Sequence, residues 1–253
     1  QAMARSATVR GTEIHTNVEV SQIIVEDGQA TGVVLIDGTR IRSPLILSNA
    51  DPKRTFGQLV ADSDKPPSYV SRIENMSSRT AYLKFHCSLS ELPDFSRYLD
   101  GRKDLDETAL AQIRINPSVK YFERAWKQAY SGVPADEPVM HIQIPSVYDD
   151  SLVDGSGHVM SVWVLYAPVN PNTGSWEAIK SQVGERLIDV ITSYAPNFRS
   201  SIMDWDLFTP VDLQERMYLT DGNIRHLDMV TGQMFADRLA YSTPISGLYL
   251  CGA

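Results

Sequence analysis

Histidines, cysteines and a run of acids are the side chains here with reactive chemistry to offer. His86, His141 and His158 each stand in an alternating, strand-like segment with no acid at a fixed spacing, so they read as structural histidines. Asp149-Asp150-Ser151-Leu152-Val153-Asp154 has the oxygen donors of a cation site but not the spacing of the common Mg²⁺ motifs. It reads as a solvated loop, and no metal is expected. Cys87 and Cys251 are far apart in sequence and read as two buried thiols in a reducing, cytoplasmic compartment. Gly155-Ser156-Gly157 begins like a dinucleotide fingerprint, but it lacks the third glycine and lies between two strands. There is no phosphate-binding Gly-x-x-x-x-Gly-Lys loop, no Cys-x-x-Cys, no His-Glu-x-x-His and no Gly-x-Ser-x-Gly elbow. The chain carries no self-contained catalytic constellation.

The segments that would position a site are clearer. Asp27-Gly28 and Asp37-Gly38 sit between β-branched runs, the pattern of tight hairpin turns that need positive φ. Residues 18–26, 30–36 and 39–42 are therefore strands of a meander. Leu45-Ile46-Leu47 and Leu248-Tyr249-Leu250 are short apolar runs, read as strands buried on both faces of one parallel sheet. Asp51-Pro52 caps a following helix, Asn116-Pro117 opens another to about Tyr130, and Ser175 caps a long one to about Tyr194. Alternation over residues 79–87, 138–145 and 158–166, with a further strand at 202–208, predicts a second, mostly antiparallel sheet. Residues 91–110 read as a surface excursion. The fold class expected is α/β with an α+β domain: an incomplete sheet at 1–60 and 245–253, and a mixed, mostly antiparallel sheet covered by helices at 61–244.

Composition sets bounds. The net charge is −8, with 43% hydrophobic and 21% charged residues, which fits a globular protein and argues against nucleic acid as a partner. No apolar run is long enough to span a bilayer, which leaves peripheral membrane contact open.

Two blocks carry a resemblance. One is Gly11-Thr12-Glu13-Ile14, Val20-Ser21-Gln22-Ile23, Asp27-Gly28 with Gly32-Val33-Val34-Leu35-Ile36-Asp37-Gly38, and Leu47-Ser48-Asn49-Ala50-Asp51-Pro52. The other is Tyr241-Ser242-Thr243-Pro244 followed by Gly247-Leu248-Tyr249-Leu250-Cys251-Gly252-Ala253. Together they resemble flavin-dependent oxidoreductases of the phytoene-desaturase type, nearest to the subgroup with a pyridine nucleotide-disulphide oxidoreductase domain. The resemblance implies FAD as cofactor, hydride transfer to it, and an apolar, isoprenoid- or carotenoid-like substrate. It also implies that the dinucleotide fingerprint precedes this region and a glycine-rich flavin motif follows it. The chain then reads as an inactive fragment that holds flavin weakly, with exposed apolar edges that favour self-association.

Carried over by position, Val20 matches a backbone contact to the adenine. Ser48, Asn49 and Ala50 match the loop at the flavin's phosphate and ribose side, and Gly252 and Ala253 the start of the flavin-contacting turn. Asn223 and His226, in Asp221-Gly222-Asn223-Ile224-Arg225-His226, match buried residues facing flavin and substrate, with Tyr241 as a further substrate contact. Arg225 stands where the family has an aromatic, and Gly232 where it has an acid. Two alternatives remain: an amine-oxidase-like flavoenzyme, whose aromatic pair would come from Tyr218 and Tyr241, or a non-catalytic binding module that kept the substrate-domain fold.

Overall fold

The computed structural model describes residues 2–99, 102 and 107–252. Two compact units divide the chain: Gln1–Met76 with Phe235–Ala253, and Ser77–Met234. The expected domain limits were 60/61 and 244/245; helix Pro67–Asn75 packs Ile73, Tyr69 and Val70 into the first unit's core.

In the first unit, helix α1 (Ala2–Val9) precedes strands β1 (Val20–Glu26), β2 (Gln29–Leu35) and β3 (Arg40–Arg42), which form an antiparallel sheet in sequence order. At the first turn Asp27 and Gly28 both have positive φ, 50° and 76°, matching the right-handed strand twist as a primed turn does. Strand β4 (Ile46–Ser48) pairs in parallel with β10 (Leu248–Leu250), so the two apolar runs do meet in one sheet. They are not buried on both faces: Leu248 and Leu250 are buried, whereas Leu45 and Leu47 are 54% and 64% exposed. This two-stranded pair buries only one face among the described residues, and alternation sends Leu45 and Leu47 to the other. After β4, Asp51 caps α2 (Pro52–Arg54), its carboxylate accepting from the Arg54 amide at 3.0 Å. The turn then widens to a π-helical stretch over Thr55–Leu59, which places Phe56 in the core, and α3 (Pro67–Asn75) follows.

The second unit is built on five strands in the order β6-β7-β8-β5-β9: Gln112–Ile115, Val139–Gln143, His158–Pro168, Thr80–Leu89 and Ile202–Phe208. Every pairing is antiparallel, so the expected mixed sheet is wholly antiparallel. Strand β6 was missed in the sequence because its four residues at a sheet edge show too little alternation to register. Ser118, not Asn116, caps α4 (Val119–Tyr130), its hydroxyl accepting from the Tyr121 amide at 3.1 Å. Ser175 caps α5 (Trp176–Tyr194) as expected. A short helix α6 (Phe198–Ser201) leads into β9, and Thr209 with Asp212 forms a capping box for α7 (Pro210–Met217). The buried faces of α4 and α5 share one core with Leu83, Phe85, Leu89, Ile142, Met160 and Val162.

Gly184 explains how closely α5 approaches the sheet. A Cβ there would collide with the ring of Trp205, which itself stacks on Phe85 at 5.7 Å. Glycine in a helix interior costs about 1 kcal/mol relative to alanine. Here that cost permits the contact. Gly184→Ala is therefore expected to destabilise the protein by ~1–3 kcal/mol by overpacking, despite its better helix propensity. Urea unfolding of the variant, read by circular dichroism, checks this, and an increase in stability would refute it.

Candidate functional site

The residues singled out in the sequence fall in three places. In the first unit, Ser48-Asn49-Ala50 leaves the carboxyl end of β4 while Cys251-Gly252 leaves that of β10. The Cys251 amide donates to the Ser48 carbonyl at 2.9 Å. Residues far apart in sequence thus meet at the carboxyl edge of a parallel pair, where open α/β sheets bind ligands. The Ser48 hydroxyl is buried against that of Thr55 at 2.8 Å, and Thr55 also donates to the Ala50 carbonyl at 3.0 Å. That leaves the exposed Asn49 side chain as the polar group presented outward, and Gly252, at φ 105°, lets backbone come close to a bound group. Val20 begins β1 in the other sheet, opposite Leu35, and is not part of this cluster. Ala253 lies outside the described residues. Tyr241 is 75% exposed; its carbonyl accepts from the Leu250 amide at 2.7 Å. Cys251 is exposed, correcting the expectation of two buried thiols, because it lies past the last paired residue of β10.

The second place is the loop after α7. Asn223 is buried, and its amide group donates to the Thr80 carbonyl at 3.0 Å and to the Asp228 carboxylate at 3.1 Å. Its own oxygen accepts from the Arg225 amide at 3.0 Å. Asn223 is thus engaged on every side by the chain itself. Asp228, buried as well, also accepts from the Ser77 hydroxyl (2.6 Å), the Arg79 amide (2.8 Å) and the Thr80 hydroxyl (3.0 Å). Gln233 completes the clasp by donating to the carbonyls of Ser77 and Asp228, each at 3.1 Å. His226 is half-buried with left-handed φ of 59°. Arg225, the departure from the family's aromatic, donates through Nε to the Tyr82 hydroxyl at 2.7 Å. The left-handed residue capping α7, Tyr218, is 55% exposed.

The third place was not assigned from sequence. Alternation on β5 sends Phe85, Cys87 and Leu89 into the core and Lys84, His86 and Ser88 to the opposite, half-exposed face. There the Lys84 Nζ lies 3.8 Å from the centre of the Trp163 ring, and His86 packs against Phe208 with ring centres 5.5 Å apart. Burial lowers the Lys84 amine to a pKa of about 8. Burial first, and then the Lys84 charge, hold His86 below the usual histidine range, with Asp206 opposing. His141 is lowered by burial and by Arg114. The polar side of the 79–87 alternation was the available signal, but the histidines there were read as structural. Among the described residues no group of acids, histidines and cysteines could hold a metal, and Asp149 merely caps a short turn. No helix among them is long and apolar enough to cross a membrane.

With this geometry in hand, comparisons with known proteins decide the relationship. The chain matches "Pyridine nucleotide-disulfide oxidoreductase domain-containing protein 2" of Mus musculus at 32% identity, over 100% of the chain and 45% of that protein. It matches the neurosporene-forming phytoene desaturase of Rhodobacter capsulatus at 25% identity, over 100% of the chain and 47% of the desaturase. Along its whole length the chain is similar to oxidoreductases of the phytoene-desaturase type. The chain spans about half the length of these relatives. A crystal structure of an oxidoreductase from Methanosarcina mazei has the same fold, with a TM-score of 0.62 and 15% identity over 99% of this chain and 47% of that one. No family model matches the chain.

Three outcomes test this description. Asp228→Ala leaves the Ser77 and Thr80 hydroxyls, the Arg79 and Thr80 amides and the Asn223 side chain without their acceptor and is expected to cost ~3 kcal/mol or more in chemical unfolding. Lys84 is protonated below its pKa and neutral above it, so its acetylation rate should reach half its plateau near pH 8. An ordinary exposed lysine keeps accelerating to above about pH 10. Peptide mass spectrometry across pH separates the two behaviours, and an ordinary profile for Lys84 would contradict its burial. Burial pushes the Cys87 thiol up to about 12, so in the native protein Cys251 alone should react promptly with a disulfide reagent. Two fast thiols would contradict the packing of β5.

Proposed function

We infer that this chain forms the flavin-domain middle and the substrate domain of an FAD-dependent dehydrogenase or desaturase. Its substrate is apolar and isoprenoid- or carotenoid-like; the Rhodobacter capsulatus relative is named for desaturating phytoene and forming neurosporene. The observation that carries the reading is the meeting of Ser48-Asn49-Ala50 with Cys251-Gly252 at the carboxyl edge of β4 and β10, in a chain matched along its whole length by oxidoreductases.

The residues present fit part of a flavin site. Asn49 offers an outward amide for a ribose or phosphate oxygen, Gly252 offers backbone without a side chain, and Val20 offers the edge of β1 for an adenine. When bound, FAD supplies the acceptor for a hydride leaving a substrate C–H bond. The protein's part is positioning. His226 in the larger unit and Tyr241 in the smaller one are the substrate-side candidates left open to a ligand, while Asn223 and Asp228 hold the loop that carries His226. Residues 1–253 contain no Gly-x-Gly-x-x-Gly cradle for the pyrophosphate, so the chain by itself is expected to hold FAD weakly and to be inactive. Exposed Ile36, Ile41, Leu45 and Leu47 favour self-association of the isolated chain, which a monodisperse monomer in light scattering would count against.

The visible absorption spectrum of the full natural gene product tests the proposal. Flavin bands are expected, with Asn49→Leu lowering the flavin retained. A colourless product that takes up no added FAD would replace this reading with the non-catalytic binding module.

A further inference from the structure

The half-exposed face of the five-stranded sheet is ordered by register into rows. One row sets Phe208, Lys84, Trp163, His141 and Arg114 side by side across β9, β5, β8, β7 and β6. Lys180, half-buried in the same unit, is held as a cation by Asp206 at 3.5 Å and Asp212 at 3.3 Å. Lys84 has no such acid. Its amine lies 3.8 Å from the centre of the Trp163 ring and, among the described residues, makes no ion pair. Its surroundings are basic instead. Phe208 stands across the ladder from Lys84, and the guanidinium carbon of Arg216, on α7, is 4.6 Å from the centre of that ring. His86, two residues along β5, packs on the same ring. His141 and then Arg114 follow beyond Trp163. Arg216 and Arg114 likewise make no ion pair among the described residues. On the other side along β5, the Tyr82 hydroxyl is engaged by Arg225. The acid of this neighbourhood, Asp206, lies opposite His86 and is tied to Lys180.

We propose that Lys84 is a carbamylation site: its amine adds to dissolved carbon dioxide, and the surrounding cations, Arg216 first among them, hold the carbamate that forms. The step balances without a cofactor. The lone pair of the neutral amine forms an N–C bond to carbon dioxide, one C=O π bond opens to a carboxylate oxygen, and one amine proton leaves to water. The side chain thereby changes from a cation to an anion. Two features select Lys84. An ammonium group that loses part of its water and gains no carboxylate gives up its proton readily. With its pKa at about 8, Lys84 holds on the order of a hundred times more neutral amine near pH 7.5 than an ordinary lysine. An anion at this place also gives Arg216 the charged partner that the chain does not. Size selects carbon dioxide over bulkier acyl donors, because it is small and uncharged, carries no leaving group, and so reaches an amine covered on one side by an indole. The site uses no flavin and goes beyond the oxidoreductase reading.

The test equilibrates the full chain with isotope-labelled carbon dioxide at a fixed partial pressure and traps carbamates by ethylation with a trialkyloxonium salt. Peptide mass spectrometry then reads each lysine. The Lys84 peptide should carry at least about tenfold more label than those of Lys120, Lys127 and Lys180, whose amines stay protonated. Its label should rise as the pH is raised through about 8, because only the neutral amine reacts. Lys84→Arg should remove the label, and Arg216→Met should lower it several-fold while the other lysines keep theirs. An unlabelled Lys84, label spread evenly over the lysines, or full label in Arg216→Met would each overturn the proposal. Should either variant fail to fold, the distribution of label among the lysines of the unaltered chain still decides. Flavin content is read separately, so a chain labelled at Lys84 that takes up no FAD keeps this site and loses the flavin reading, and the converse result does the reverse.

Discussion

A buried carboxylate holds the larger unit closed. Asp228 stands where the chain is about to leave the unit, and the groups it binds, on Ser77, Arg79 and Thr80, stand where the chain enters it. Desolvating a carboxylate is expensive unless its lone pairs are filled, and here hydroxyl, amide and side-chain donors fill them. The result is a clasp that fixes the start of the interior strand β5 against the loop carrying Asn223 and His226. Because β5 is flanked by β8 and β9, the position of the whole sheet follows from that one contact. The residue nearest to a conventional site assignment, Asn223, is part of the clasp, so its first effect is on where the loop sits.

Local chemistry made much of this fold legible. Asp27-Gly28 announced a hairpin because two positive φ angles in succession suit few other pairs. Ser175 and Asp51-Pro52 announced helix starts because an unpaired amide at a helix start needs an acceptor. Strand β9 alternates only over its second half, where Trp205 and Leu207 turn inward between the exposed Asp204 and Asp206. What stayed hidden depends on partners distant in sequence. Ser118 out-competed Asn116 as a cap, a choice between two good acceptors that the sequence does not rank. Leu45 and Leu47 read as interior residues, but whether a strand is covered on one face or two is decided by what packs on it, not by its own composition.

The candidate sites divide in the same way. The meeting of Ser48 with Cys251-Gly252 rests on family-like motifs that could be matched by position, and the parallel pair brings them together. The Lys84 row has no motif. Its members come from five strands, one residue from each, and nothing but register relates them. A lysine on the polar side of an alternating strand is an ordinary thing to see; its desolvation over Trp163 becomes visible only once β8 is laid beside β5.

The strand order also sets a timetable. β5 is the first strand of its sheet to be synthesised, yet both of its neighbours come late, β8 at His158–Pro168 and β9 at Ile202–Phe208. At a ribosomal speed of about 10 residues per second, β5 waits on the order of ten seconds for its second edge to be covered. During that interval Phe85, Cys87 and Leu89 have no completed core to enter, and the strand's hydrogen-bonding edges are open to any other extended chain. The half-polar pattern of β5, with Lys84, His86 and Ser88 on alternate positions, keeps that nascent strand from being apolar on both sides, so the same residues that line the open face of the finished sheet also guard it while it is being made.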